Sequence, residues 1–405
     1  MRPPARQAVW QSVRLALGTA SALGLARFGY GLLLPAMRDD LRWSLAQAGA
    51  MSAANGLGYL LGALATTVLV RKMGSAAAFR WGMVLTAVAL ASTAVSDDYL
   101  TLLATRAAAG ATGAVVFITG GVIASRIAAR ASSGAPVALY FAGTGLGIVL
   151  SGVSLPALGT HWHAAWIGMS LAAGMATLVS WTAAHAGGDA PAATTGRARL
   201  RPQWRTALAY LLFATGYITY ITFLSAYLAD RNAPLAQVML IWTVMGAAVV
   251  AAPALWSRPL ARWRGGNALA ALLALLAGGA ALALVSSALP VVLASAIIYG
   301  ATFMSVPAAV TTLIRTGTPP TDWTATLAAF TTLFAAGQTV GPWVAGILAD
   351  HTSPDATVTW TAVLCAAGAA IAATLRRVPP VPPTTATGPL PPRQGTALGS
   401  HRADT

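Results

Sequence analysis

Residues 21–37 read SALGLARFGYGLLLPAM, an apolar run with Arg27, a permanent positive charge, at its centre. The whole chain resembles the run more than the charge. Of 405 residues 57% are hydrophobic and 9% charged, with a mean hydropathy of +0.68, whereas a soluble domain is about 25% charged. The composition is that of a membrane protein. It holds no Glu, ten Asp and a single Lys, Lys72. The net charge of +15 does not mark a nucleic-acid binder, because such proteins gather their basic residues on one solvated face and here they recur as short islands between apolar blocks. The one cysteine, Cys365, excludes an intramolecular disulfide and a cysteine-based metal cluster.

A membrane-crossing helix needs about 20 apolar residues. Twelve blocks have that length, near 12–37, 45–70, 76–96, 100–125, 134–159, 163–184, 204–229, 236–257, 267–287, 290–314, 323–348 and 357–375. The first is too long and too polar at its flanks for a cleaved signal peptide and is expected to stay as a helix. Barrel strands would alternate over about ten residues, so an all-α membrane protein is expected. Counting with the N-terminus in the cytoplasm, 20 of the 25 basic residues fall on the cytoplasmic side, while seven of the ten Asp fall outside with only Arg38, Arg42 and Arg231. The positive-inside rule then gives twelve helices with both termini cytoplasmic, in what is expected to be a bacterial inner membrane. Residues 1–184 form an expected N-terminal six-helix bundle, 185–203 a Gly-, Thr- and Arg-rich cytoplasmic linker, 204–377 a C-terminal six-helix bundle, and 378–405 a Pro-rich tail expected to be disordered.

The halves look related. Gly143, Gly147 and Gly152 recur as Gly337, Gly341 and Gly346, each displaced by 194; Leu45-Ala46-Gln47 recurs as Leu235-Ala236-Gln237, displaced by 190, with Asp40 matching Asp230 and Tyr30 matching Tyr220. Two pseudo-symmetric six-helix bundles are therefore expected. Small residues at helical spacing let backbones approach closely in lipid, which gives the fifth and eleventh helices a smooth surface on which the halves are expected to rock.

With these motifs the chain resembles the major facilitator superfamily. Gly143, Gly147 and Gly152 match its fifth-helix motif, with Ile148 in place of the motif's Pro; the eleventh span keeps Gly337, Gly341, Pro342 and Gly346. TRAAAGATGA supplies the fourth-helix Arg and glycines as Arg106, Gly110 and Gly113. The loop VRKMGS supplies Arg71, Lys72 and Gly74, with Arg71 where the family has an acidic residue. ARFGYGLLLPAM is similar to the uncharacterised YbfB/YjiJ-type branch. The resemblance spans about residues 10–378. It implies a secondary transporter whose halves alternate in rocker-switch fashion, with Arg106 supporting gating or proton movement.

An Arg at mid-helix costs about 2.5–3.5 kcal/mol on insertion scales, so it ordinarily faces a cavity or a partner. Helical spacing places Arg27 on one face with Gly24 and Tyr30. No acid lies within any expected span, which leaves water, carbonyls, an aromatic face or a visiting anion to complete it. The candidate substrate-binding residues are Arg27, Tyr30, Asn55, Tyr59, Tyr217, Tyr220, Tyr299 and Gln338. The expected function is transport of a small organic solute, more readily an anion than a cation because no membrane acid is present to pair with one. Efflux of neutral or apolar compounds and a non-transporting membrane sensor are the alternatives. No catalytic constellation or P-loop appears, so an enzyme is not expected, nor a cofactor or metal. The expected partners are the substrate and the bilayer, with a coupling proton or counter-anion; the protein is expected to act as a monomer without nucleic acid.

The charge argument predicts that a reporter enzyme fused after Asp98 reports the outer side and one fused after Ala190 the cytoplasm; the reverse pattern would overturn the six-plus-six topology.

Overall fold

The computed structural model describes residues 5–158, 161–184, 197–263 and 265–375. The tail 378–405 and most of the expected linker lie outside these. Among the described residues eleven continuous helical segments are long and apolar enough to span a membrane. One of them, Leu45–Thr93, has 49 residues, about 74 Å at 1.5 Å per residue and far longer than a bilayer core of about 30 Å. Gly74 divides it, with φ 79° and ψ 161°, a left-handed setting open to glycine at little cost. The expected second and third spans are thus two helices meeting at one residue, and the twelve passes are α1 (Arg6–Leu41), α2 (45–73), α3 (75–93), α4 (Tyr99–Ala131), α5 (Ala135–Ser154), α6 (Trp162–Ser180), α7 (Trp204–Ala229), α8 (Leu235–Arg262), α9 (Asn267–Val285), α10 (Leu289–Gly317), α11 (Pro320–His351) and α12 (Asp355–Ala373). Arg71 and Lys72 stand exposed just before the Gly74 reversal.

Local chemistry starts and stops these helices. At the head of α2, Ser44 Oγ accepts the Gln47 N–H while Gln47 Oε1 accepts the Ser44 N–H, the reciprocal capping box. Asp98 caps α4 by accepting the Thr101 N–H at 2.8 Å, and that bond holds its carboxyl below the usual carboxylate range. α10 breaks at Met304 and Ser305, ahead of Pro307. Several helices run past the apolar blocks at the arginine-rich end: α4 continues to Ala131. Residues 197–203, part of the expected linker, dock on the C-terminal bundle, where the Arg197 N–H and Arg199 Nε donate to Asp322 at 2.9 and 2.7 Å.

The glycine motifs sort into two kinds of seam. Gly143 and Gly147 on α5 face Ala16 and Ala20 of α1, and Gly337 and Gly341 on α11 face Ala214 and Thr215 of α7; these join helices within a bundle. Gly152 instead faces Trp242 and Thr243 of α8, and Gly346 faces Leu45 of α2; these join the two bundles. The expected rocking surface is therefore corrected: four of the six motif glycines are internal to a bundle, and the inter-bundle seam is carried by Gly152 and Gly346 with Gly145, Gly246 and Gly49. Gly110 and Gly113 likewise serve packing inside the N-terminal bundle, against Asn55 of α2 and Ala22 of α1. Pro342 offers its carbonyl to the inter-bundle seam opposite Gly49.

The bundles meet most firmly toward the aspartate-rich end. Asp350 on α11 accepts the Leu45 and Ala46 N–H groups of α2, both at 2.8 Å, placing a carboxylate on a helix N-terminus that belongs to the other bundle, where charge and dipole are complementary. Arg38 pairs with Asp230 at 3.7 Å. Nearer the midline Ser52 and Thr222 hydroxyls meet at 2.9 Å.

The two seams should separate by mutation. A Leu at Gly341 collides with the Thr215 backbone inside a bundle and should sharply lower the yield of monodisperse protein. Gly346→Ala presses on Leu45 across the bundles and should leave the yield intact while accelerating hydrogen exchange of the Leu45 and Ala46 amides; unchanged exchange would show that the seam absorbs the extra methyl.

Candidate functional site

Arg27 does not sit in an ordinary α-helix. Residues Ala20–Phe28 of α1 form a π-helical segment, closed by the Gly29 N–H donating to the Gly24 carbonyl five residues back. Such wide turns recur at functional sites. Two contacts accompany it. Gly24 lies against the Gly147 backbone of α5, and Arg106 Nη1 of α4 donates to the Ala26 carbonyl at 2.5 Å.

The wide turn changes which residues share a face. Arg27 reaches across the inter-bundle gap, where Nη2 donates to Gln338 Oε1 of α11 at 2.5 Å. The Tyr217 hydroxyl of α7 donates to the same oxygen at 3.1 Å, and the Arg27 guanidinium carbon lies 5.4 Å from the ring centroid of Tyr59 on α2. Tyr30 points elsewhere. Its ring lies 4.9 Å below the Arg106 guanidinium, and its hydroxyl donates to the Ala48 carbonyl. The shared face expected for Arg27, Gly24 and Tyr30 assumed an α-helical step, and the π turn breaks it.

Four of the eight candidate binding residues therefore gather at one point, from both bundles: Arg27, Tyr59, Tyr217 and Gln338. The other four do not join them. Asn55 donates to the Arg106 carbonyl at 3.1 Å, so it belongs to the α2–α4 seam. Tyr220 and Tyr299 stack at 4.0 Å within the C-terminal bundle, with the Tyr220 hydroxyl against Ser295 Oγ at 2.7 Å. Tyr30 lies inside the N-terminal bundle.

Arg106 and Tyr299 repeat one arrangement in the two halves. The Arg106 guanidinium covers Tyr30 and donates to the α1 carbonyl of Ala26; Tyr299, displaced by 193, stacks on Tyr220 and donates to the α7 carbonyl of Tyr217 at 2.5 Å. Each tethers the helix that supplies the central cluster, next to Arg27 on one side and at Tyr217 on the other. Trp166 adds a second aromatic face, 5.2 Å from Arg106. Cation–π contacts are worth about 2 kcal/mol or more where water is absent, and they stand in here for a carboxylate.

The central cluster is not saturated. Among the described residues no carboxylate pairs with Arg27, which is 7% exposed, and its Nε and the Gln338 Nε2 have no hydrogen-bond partner in the protein. Donors from the two bundles, Arg27 and the Tyr217 hydroxyl, thus share one oxygen at the seam between the bundles. Residues missed by sequence reasoning complete the surroundings: Phe28 meets Phe303 edge-on across the bundles at 5.8 Å, and Phe334 stacks on Tyr217 at 5.5 Å. Aromatic residues on apolar helices carry no sequence mark that separates gap-lining from packing.

Comparison with known proteins now has a geometry to meet. Residues 19–377 match the family model described as "Uncharacterised MFS-type transporter YbfB". The chain belongs to this family of major facilitator transporters. It is an integral, multi-pass membrane protein of that fold. A solved structure of the nucleoside transporter NupG is similar over 89% of this chain and 97% of that one, at 14% identity and a TM-score of 0.65. A bacterial homolog of the human lysosomal transporter Spinster, in an inward-facing and occupied conformation, is similar over 94% and 100%, at 13% identity and a TM-score of 0.68. At such identities the likeness establishes the fold alone. No curated protein matches the sequence.

Tyr299→Phe keeps the ring stack but strips the Tyr217 carbonyl of its tether. The loss of a buried bond of this kind costs about 1–3 kcal/mol, so the variant should unfold at a measurably lower temperature in detergent; an unchanged melting point would show that the tether contributes no stability.

Proposed function

We propose that this transporter moves a small organic anion by alternating access of its two bundles, with Arg27 holding the anionic group. One observation carries the proposal: a buried guanidinium without an acid partner, sharing a single neutral oxygen of Gln338 with the opposite bundle while Arg27 Nε and Gln338 Nε2 remain unpaired. A carboxylate presented to Nε and Nη2 would make the planar two-point pairing that guanidinium favours. It would also displace the Gln338 oxygen, which turns its amide nitrogen into a further donor. Binding and the inter-bundle bond then compete for one group, which couples occupancy to the movement of one bundle against the other.

With the arginine-rich end cytoplasmic, as the positive-inside rule favours, the seams through Asp350, Arg38 and Gly346 lie toward the outer side. Arg106 takes a supporting role on this reading: its Nη1 is committed to Ala26 and its face to Tyr30 and Trp166, so it shapes the helix that presents Arg27. With the acids of these spans confined to the helix ends, at Asp39, Asp40, Asp322, Asp350 and Asp355, and none paired with Arg27, coupling on this reading runs through exchange of anions or the substrate's own proton.

The test is uptake or exchange in proteoliposomes at matched amounts of folded protein. Arg27→Ala should weaken transport of an anionic substrate by at least about thirtyfold, in line with the 2–5 kcal/mol that truncating one partner of a buried charge pair costs. Arg27→Lys should rescue it only in part, and Tyr217→Phe should raise KM modestly. Wild-type rate and affinity in Arg27→Ala would overturn the anion reading and favour efflux of neutral compounds.

A further inference from the structure

We propose that residues 197–205 form a membrane-surface site for an anionic phospholipid, held in place on the C-terminal bundle by Asp322. The site is separate from the Arg27 cluster and does not depend on the anion reading.

The first ground is that the segment is fastened. It reads RARLRPQWR, four arginines with Leu200 and Trp204 in nine residues, and like charges so close repel one another. Asp322, at the head of α11 and 6% exposed, accepts the Arg197 N–H at 2.9 Å and Arg199 Nε at 2.7 Å. One turn on, Thr326 Oγ1 accepts the Arg199 N–H at 3.1 Å, and Gln203 Nε2 donates to Thr318 Oγ1 at 2.5 Å. The Gln203 N–H closes a turn on the Leu200 carbonyl at 3.1 Å, and α7 begins at Trp204. Both ends of the strap are thus pinned to residues 318–326.

The second ground is the charge left over. Among the described residues Asp322 is the one acid at the arginine-rich end, and it is engaged by Arg199. The side chains of Arg197 and Arg201, with Arg258 and Arg262 of α8 and Arg315 of α10, are exposed and pair with no acid among the described residues. Arg205 has only the Thr374 carbonyl of α12 at 3.5 Å and the Trp204 ring at 5.4 Å. A basic cluster next to a membrane helix attracts anionic headgroups.

The third ground is depth. Trp204, Trp263 and Trp323 stand at the ends of α7, α8 and α11 at this same end, and Trp204 and Trp263 are 56% and 46% exposed. Indole rings at helix ends mark the headgroup level of a bilayer, so the strap lies at that level. Leu200 and Trp204 there present apolar surface beside the cations of Arg201 and Arg205. A soluble anion would meet the arginines and leave Leu200 and Trp204 in water, whereas a phospholipid meets both, its phosphate on the cations and its acyl chains on the apolar groups.

The experiment measures binding to the purified full-length protein in uncharged detergent, by calorimetry and native mass spectrometry. The probes are phosphatidylglycerol, phosphatidylcholine with the same chains, and glycerol 3-phosphate as a free anion. Phosphatidylglycerol should bind at least about tenfold more tightly than either of the others. Arg201→Gln with Arg205→Gln should weaken it about fivefold for each arginine removed, while Arg126→Gln with Arg130→Gln, at the same end of the N-terminal bundle, should have less than a third of that effect. Asp322→Asn separates a fastened site from diffuse attraction. It makes the protein more positive, so diffuse attraction requires tighter binding, whereas a released strap should bind at least about threefold more weakly. Thr326→Val, which keeps the charge and guards against a folding defect in Asp322→Asn, should weaken binding in the same direction by less. Equal binding of phosphatidylcholine, or equal loss in the two arginine pairs, would overturn the proposal. Unchanged or tighter binding in both Asp322→Asn and Thr326→Val would refute the strap, and glycerol 3-phosphate binding as tightly as the lipid would make this a soluble-anion site instead.

Discussion

Two guanidinium groups buried in a hydrocarbon-spanning bundle, neither paired with an acid among the described residues, constrain the rest of this protein. A charge in that position must be completed by dipoles and aromatic faces. Arg106 is held within its own bundle, by the Ala26 carbonyl and the rings of Tyr30 and Trp166, with Nε and Nη2 left unpaired. Arg27 is held by a residue of the other bundle, with Nε left unpaired. One arginine is therefore a fixed internal strut, while the other has a partner that moves whenever the bundles move. The π segment of α1 makes this division possible, since it sends Arg27 toward the gap and Tyr30 away from it.

The glycines divide in the same way. Those at Gly143, Gly147, Gly337 and Gly341 bring α5 against α1 and α11 against α7, making each bundle a rigid body; those at Gly152 and Gly346 let the two bodies touch. In lipid, where apolar burial supplies no net drive between helices, close backbone approach is the main source of attraction. A transporter needs much of it within each body and a limited amount between them. The Asp350 bonds to the N-terminus of α2 add a polar contact that closes one end without interlocking side chains.

Much of the fold was legible because continuous apolar blocks have one stable form in a bilayer, and because a duplicated unit leaves matching offsets. The reversal at Gly74 could be placed from the glycine and the length of the block. Arg27, Tyr59, Tyr217 and Gln338 could be chosen because polar and ring-bearing groups in apolar helices require a reason. Tyr30, Asn55, Tyr220 and Tyr299 were chosen on the same ground and proved to be occupied elsewhere, since sequence shows that a polar group needs a partner without showing whether the partner is in the same bundle. The roles of the glycines were blurred for a related cause: Gly147 and Gly152 are alike in sequence and differ only in which helix lies opposite. Phe28, Phe303 and Phe334 were invisible as neighbours of the central cluster, because a phenylalanine in an apolar helix needs no explanation.

The π turn also explains a small discrepancy between the duplicated halves. Ala26 and Tyr217 receive equivalent tethers and stand 191 residues apart, while Tyr30 and Tyr220 lie under equivalent caps and stand 190 apart. Over this stretch α1 holds one residue more than α7, and the surplus falls where the helix widens. A single inserted residue is enough to make one half of a symmetric molecule unlike the other, giving the gap a cationic wall and a neutral wall.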